Sequence, residues 1–140
     1  MRQTRPRILC VDDNADIREM LTILLGGAGY DATPAATVRD AELLAAAGGF
    51  DLFILDKMPP RGAGLELCRE LRRRHPHTPV IIYSADASAG HHREAAEAGA
   101  TACVDKPHVS PLVIAVNELI IGKSVTSDAK TFGFNHSALV

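Results

Sequence analysis

Just beyond four short apolar runs stand Asp12 and Asp13, Asp56, Ser84, and Lys106, residue types suited to handling a phosphoryl group. Three carboxylates gathered on one rim repel, and each resists ionising unless a cation joins them. Their hard oxygen donors favour a divalent ion, and Mg2+ is the expected one. With the ion between Asp13 and Asp56, one carboxylate oxygen stays available to attack phosphorus, while the metal and the Lys106 ammonium absorb charge on the group in transfer. The Ser84 hydroxyl can donate to a phosphoryl oxygen, and the product would be an acyl phosphate on Asp56.

Such residues act together only if one scaffold brings them to one end. The runs Ile8 to Val11, Leu52 to Leu55, Val80 to Tyr83 and Ala102 to Val104 have the length and continuity of short strands buried on both faces. A weaker run, Tyr30 to Thr33, ends at Pro34, which lacks a ladder donor, so it is expected at a sheet edge. Between the runs lie helical patterns. Ile17, Met20, Leu21, Leu24 and Leu25 form one apolar face behind Asn14 as cap, closed by Gly26 and Gly27. Thr37 and Asp40 have capping-box spacing ahead of a helix to Ala47, stopped by Gly48 and Gly49. Leu65, Cys68 and Leu71 line a third helix, whose last turn carries Arg72, Arg73 and Arg74 where cations suit the dipole. Ala89 to Ala98 has good propensity but little to bury, which predicts the loosest helix. Ser110 and Pro111 read as cap and first residue of a helix through Ile121. Five rounds of strand and helix predict an α/β fold with a parallel sheet covered on both faces. Its ligands then sit beyond the carboxyl ends of the strands, where the polar residues stand.

The 140 residues suit one domain, and 46% apolar with 23% charged residues is an ordinary globular mix. A formal charge of −2 provides no bulk basic field for nucleic acid or anionic lipid. The basic start, Met1 to Arg7, is followed by an apolar stretch that stops at Asp12, far short of a signal-peptide core or a membrane span. Cys10, Cys68 and Cys103 lack metal-ligand spacing and read as small core residues in a reducing cytoplasm, the expected location. His91 and His92, adjacent on a helix, should point different ways and lie on a solvated face, and His75 and His77 flank a loop proline in the same setting.

The segments VDDN at 11–14, LDKMPPRGAG at 55–64, YSA at 83–85 and DKP at 105–107 resemble the receiver domain of bacterial two-component response regulators, over about Arg7 to Ile121. The resemblance implies a flavodoxin-like (βα)5 fold with five parallel strands in the order 2-1-3-4-5. It implies a receiver domain at 1–121, here a stand-alone one, and leaves 122–140 as a flexible tail. Asp56 would accept a phosphoryl group from a histidine kinase or phosphotransfer protein. Asp13 would ligate Mg2+ directly, Asp12 through water, and Met58 through its backbone carbonyl. Lys106 would contact the phosphoryl group, Ser84 is the switching hydroxyl, Ala85 the small residue beside it, Pro107 follows a bond that is typically cis, and Gly64 is a turn glycine. A downstream protein would read the last helices and adjoining strand, and self-association into a homodimer stays open. The resemblance departs at Cys103, where many members carry tyrosine or phenylalanine, at Lys57, where an apolar residue is usual, and at Pro59, where methionine is frequent.

Two other readings use the same residues. An aspartyl-phosphate phosphatase would employ Asp56 as a transient nucleophile, but such enzymes of the haloacid dehalogenase type normally place a second aspartate two residues later, where Met58 stands here. A phosphate-independent interaction scaffold would keep the fold and leave the acidic set idle.

Overall fold

The computed structural model describes residues 4–58, 60, 62–86 and 88–125, with the side chains of 123–125 left aside. Strands β1 (Arg7–Val11), β2 (Asp31–Ala35), β3 (Leu52–Leu55), β4 (Val80–Ser84) and β5 (Ala102–Asp105) form one parallel sheet in the order β2-β1-β3-β4-β5. This is the flavodoxin-like arrangement expected from the sequence. The helices are α1 (Ala15–Gly27), α2 (Val38–Ala47), α3 (Ala63–Arg74), α4 (His91–Glu97) and α5 (Val109–Val125).

Alternation along the strands divides the interior into two cores. On β1, Ile8 and Cys10 pack with Leu21 and Leu25 of α1 and Leu112, Val116 and Leu119 of α5. Leu9 and Val11 face the other way, toward Ala41 and Ala45 of α2, Leu67 and Leu71 of α3 and Ala95 of α4. The fully buried leucines each contribute about 1.5–3 kcal/mol through area removed from water. Cys10, Cys68 and Cys103 are free thiols within these cores, each pushed up to about 12 chiefly by burial.

Local signals place most of the helices. The Asn14 side chain accepts from Ile17 N at 3.0 Å, and Thr37 accepts from Asp40 N at 3.0 Å, so both expected caps form. Glycine ends α1 and caps α2 at Gly48. Boundaries of β2, α4 and α5 differ from the sequence reading. Pro34 lies inside β2 rather than after it, opposite Cys10, because β2 is an edge strand with one side free of ladder bonds. Helix α4 is shorter than Ala89 to Ala98 because Gly90, at φ 81°, turns the chain just before it. Helix α5 begins at Val109, which puts Ser110 and Pro111 within its first turn, where a proline's missing N–H has no intrahelical acceptor to lose. It also continues past Gly122 to Val125. The rest of the expected tail, 126–140, lies outside the described residues, as does Pro59. Among the described residues no helix is long and apolar enough to cross a membrane.

Candidate functional site

The loop after β1 is fixed by its own backbone. Asp12 N donates to Ala35 O at 3.0 Å, and Arg18 donates from its guanidinium to Asp12 O at 2.8 Å. Asp12 Oδ1 accepts from Asn14 N at 2.9 Å, so one residue turns Asp12 inward and also caps α1. The Asp12 residue is only 2% exposed. Asp56 follows β3, its N–H on Val11 O at 2.9 Å and its Oδ2 accepting from Met58 N at 2.9 Å. Met58 sits at φ 55°, a left-handed conformation that a non-glycine residue adopts at a cost of about 1–2 kcal/mol. The loop after it closes tightly: Gly64 N donates to Lys57 O at 2.6 Å, and a Cβ on Gly64 would stand 2.1 Å from Asp56 O. Gly64 is therefore required for close backbone approach in the first turn of α3 rather than for a positive φ.

Lys106 reaches in from the end of β5. Its Nζ donates to Asp12 Oδ2 at 2.7 Å and to Asp56 Oδ1 at 3.0 Å, 5.8 Å from the Tyr83 ring centroid. Its N–H donates to Ser84 O at 3.0 Å, and the bond to Pro107 is cis. One oxygen from each of Asp12, Asp13 and Asp56 lies within 4.8 Å of the others. Burial holds the Asp12 carboxyl above its usual range despite its bonds to Lys106 and Asn14, and the Asp56 charge adds to the effect. For Lys106 burial acts to lower the ammonium, but its bonds to Asp12 and Asp56 prevail and hold it above its ordinary value. Three carboxylates against one ammonium leave a formal excess of two negative charges, which a hard divalent cation fits.

The structure thus brings Asp12, Asp13, Asp56 and Lys106 together, with the backbone of Met58 held on Asp56 by its N–H. Ser84 is buried beside them at the end of β4, paired in register with Asp105, but its Oγ accepts from Asp86 N at 3.2 Å. Among the described residues the Ser84 hydroxyl makes no hydrogen bond to Asp56 or Lys106.

Several side chains sit differently from the sequence reading. Lys57, unusual for its position, is nearly buried and pairs with Asp86 at 2.9 Å and Glu94 at 3.2 Å, which ties the loop after the candidate acceptor to α4. Its charge in a usually apolar position singles it out in the sequence, but its partners do not show there. His91 and His92 do not lie on a solvated face: His91 is 5% exposed, and both Nε2 atoms lie on Asp105 Oδ1, at 2.8 and 3.0 Å. At the first turn of a helix the two long side chains converge, their rings meeting edge to face at 4.6 Å between centroids. His75 also packs, edge-on against Phe53. The arginine run behaves as a helix end, with Arg73 and Arg74 on Glu70 and Arg72 on Thr78 O.

Residues 8–117 match the model of the response regulator receiver domain. PilR of Pseudomonas aeruginosa is 40% identical over 104 residues, which are 74% of this chain and 23% of PilR. MprA of Mycolicibacterium vanbaalenii is 33% identical over 122 residues, 87% of this chain and 53% of MprA. The chain therefore spans about a quarter and about half of the length of these curated relatives. Among solved structures, a CheY-like response regulator receiver domain protein from Methanospirillum hungatei superposes with a TM-score of 0.80 at 27% identity, covering 86% of this chain and 98% of that one. Chemotaxis protein CheY4 of Vibrio cholerae gives 0.74 at 28% identity, covering 84% and 99%.

Proposed function

Because the chain belongs to the response regulator receiver domains, we propose that it is a phosphorylation-dependent switch of two-component signalling whose acceptor is Asp56. The observation that carries this reading is the Lys106 ammonium bridging Asp12 and Asp56 beside a three-carboxylate set with two negative charges in excess. The donor is a phosphohistidine of a histidine kinase or phosphotransfer protein. An Asp56 carboxylate oxygen forms the new P–O bond as the N–P bond breaks, and the leaving imidazole retains the electron pair.

The residues divide the work. Asp12, Asp13 and Asp56, with the carbonyl of Met58, would hold Mg2+, which supplies charge neutralisation for the transferring group. Met58 N orients the Asp56 carboxylate from one side and Lys106 from the other, so attack starts from a fixed geometry. Lys106 exchanges part of its contact with the carboxylates for the incoming phosphoryl oxygens. Ser84 must leave the Asp86 amide to donate to the phosphoryl group, which links acceptor chemistry to the loop ahead of α4. A downstream partner reads the face built by the last helices and β5. With Met58 two residues after Asp56, no second carboxylate is there to drive turnover of external substrates, so the chemistry is confined to the protein's own phosphorylation and its hydrolysis.

The test is incubation with acetyl phosphate and Mg2+ followed by intact mass. One added phosphoryl group that is lost in Asp56→Asn is expected. An unmodified chain, or labelling that persists in the variant, defeats the assignment. Continuous phosphate release over many turnovers would instead point to the phosphatase reading.

A further inference from the structure

Away from the carboxylate pocket, a second cluster gathers where α4 begins and β5 ends. His91 and His92 Nε2 share Asp105 Oδ1, and Cys103 Sγ lies 3.9 Å from His91 Nε2. One donor atom from each of the four residues lies within 4.8 Å of the others. Two imidazoles, a sulfur and a carboxylate form a mixed set of a kind that borderline-soft transition metals take, whereas the all-oxygen set at Asp12, Asp13 and Asp56 suits Mg2+.

We propose that His91, His92, Cys103 and Asp105 form a binding site for a divalent transition metal of the zinc class. Tetrahedral zinc with ligands at about 2.0–2.3 Å separates neighbouring donors by roughly 3.3–3.6 Å. The two nitrogen–oxygen distances need to open, and the nitrogen–sulfur distance to close, by only a few tenths of an ångström. Cys103 is fully buried and His91 nearly so, while the side chains of His92 and Asp105 are 30% and 47% exposed. The inner ligands are thus packed, and the outer ones leave an entry path.

His91 Nδ1 is buried with no hydrogen-bond partner among the described residues. Without a metal the Asp105 carboxylate keeps the proton on Nε2; nothing on the other side of the ring holds Nδ1 in its unprotonated form, so the proton can pass to Nδ1 and leave the Nε2 lone pair for a cation. On coordination Cys103 enters as thiolate and its proton leaves to solvent. A pair of histidine–carboxylate hydrogen bonds accounts for Asp105 alone and assigns nothing to the sulfur packed against His91.

The experiment titrates the full chain with Co2+, a spectroscopic stand-in for zinc, under excess Mg2+ to occupy the carboxylate pocket. One equivalent of Co2+ should produce thiolate-to-cobalt charge-transfer absorption, and one equivalent of Zn2+ should abolish it. Cys103→Ser should remove the band, Cys68→Ala should keep it, and His92→Ala should weaken binding at least tenfold. Circular dichroism checks that each variant is folded. His92 is partly exposed, so its variant still decides the matter if Cys103→Ser fails to fold. The site is overturned by a folded chain with no thiolate band at saturating Co2+, by a band that survives Cys103→Ser, or by unchanged affinity in His92→Ala.

Discussion

Lys106 occupies the space between Asp12 and Asp56 with a positive charge, so it competes with any cation entering there. Removing it in Lys106→Ala leaves the carboxylates facing one another, and Mg2+ affinity is expected to rise about tenfold, or ~1.4 kcal/mol. Isothermal titration checks this, and equal or weaker binding would show that the ammonium does not share the pocket. Gly64 makes a second prediction. A methyl group placed 2.1 Å from Asp56 O cannot be accommodated without moving backbone, so Gly64→Ala should cost about 3 kcal/mol in a denaturant melt and slow labelling of Asp56. The acidic residues and Lys106 were legible in the sequence because each stands where an apolar run stops. Lys57 stood out as a charge where an apolar residue is usual, but its ion-pair role was not legible, since its partners lie 29 and 37 residues away and only the folded chain brings them together. The same holds for His91 and His92, whose meeting point on Asp105 is set by how α4 packs on β5.

Among elements, the strands could be read from short apolar runs because both sheet faces are covered, and α1 and α2 could be read from their caps. The ends of α4 and α5 could not. Gly90 starts α4 through a left-handed turn with no side-chain cap, and the turn that opens α5 contains its own proline. Helix α4 is held by a charged clasp as well as by its buried Ala95, since Lys57 reaches both Asp86 and Glu94. The Asp86 carboxyl is held well below its usual range, first by the Ser88 hydroxyl and then by Lys57. Its folded pKa lies under the unfolded value of about 3.9, so its contribution to stability is whole above that value and is lost as pH falls through the folded one. Urea unfolding followed from pH 7 down to about 3 should therefore show the parent losing more stability than Asp86→Asn once the pH passes below about 4, with the two curves drawing together toward pH 3 without meeting. Parallel curves would remove Asp86 from the account.

For the whole molecule, the carboxylate pocket draws on the ends of β1 and β3 and meets Lys106 from β5, so a cation bound there engages most of the width of the sheet. Mg2+ at 100 times its dissociation constant should stabilise the fold by about 2.7 kcal/mol through mass action. Thermal unfolding with and without Mg2+ measures it, and Asp13→Asn should remove most of the gain. A gain that survives the substitution would place the ion elsewhere. The sheet itself has two borders, and the one formed by β2 carries exposed Pro34 and exposed Asp31. A second chain arriving there to extend the hydrogen-bonded ladder would meet a ring where it needs a donor, and a charge at the strand's first position. Edge-to-edge pairing through that border is thereby opposed by the chain itself, without any further element to cover it.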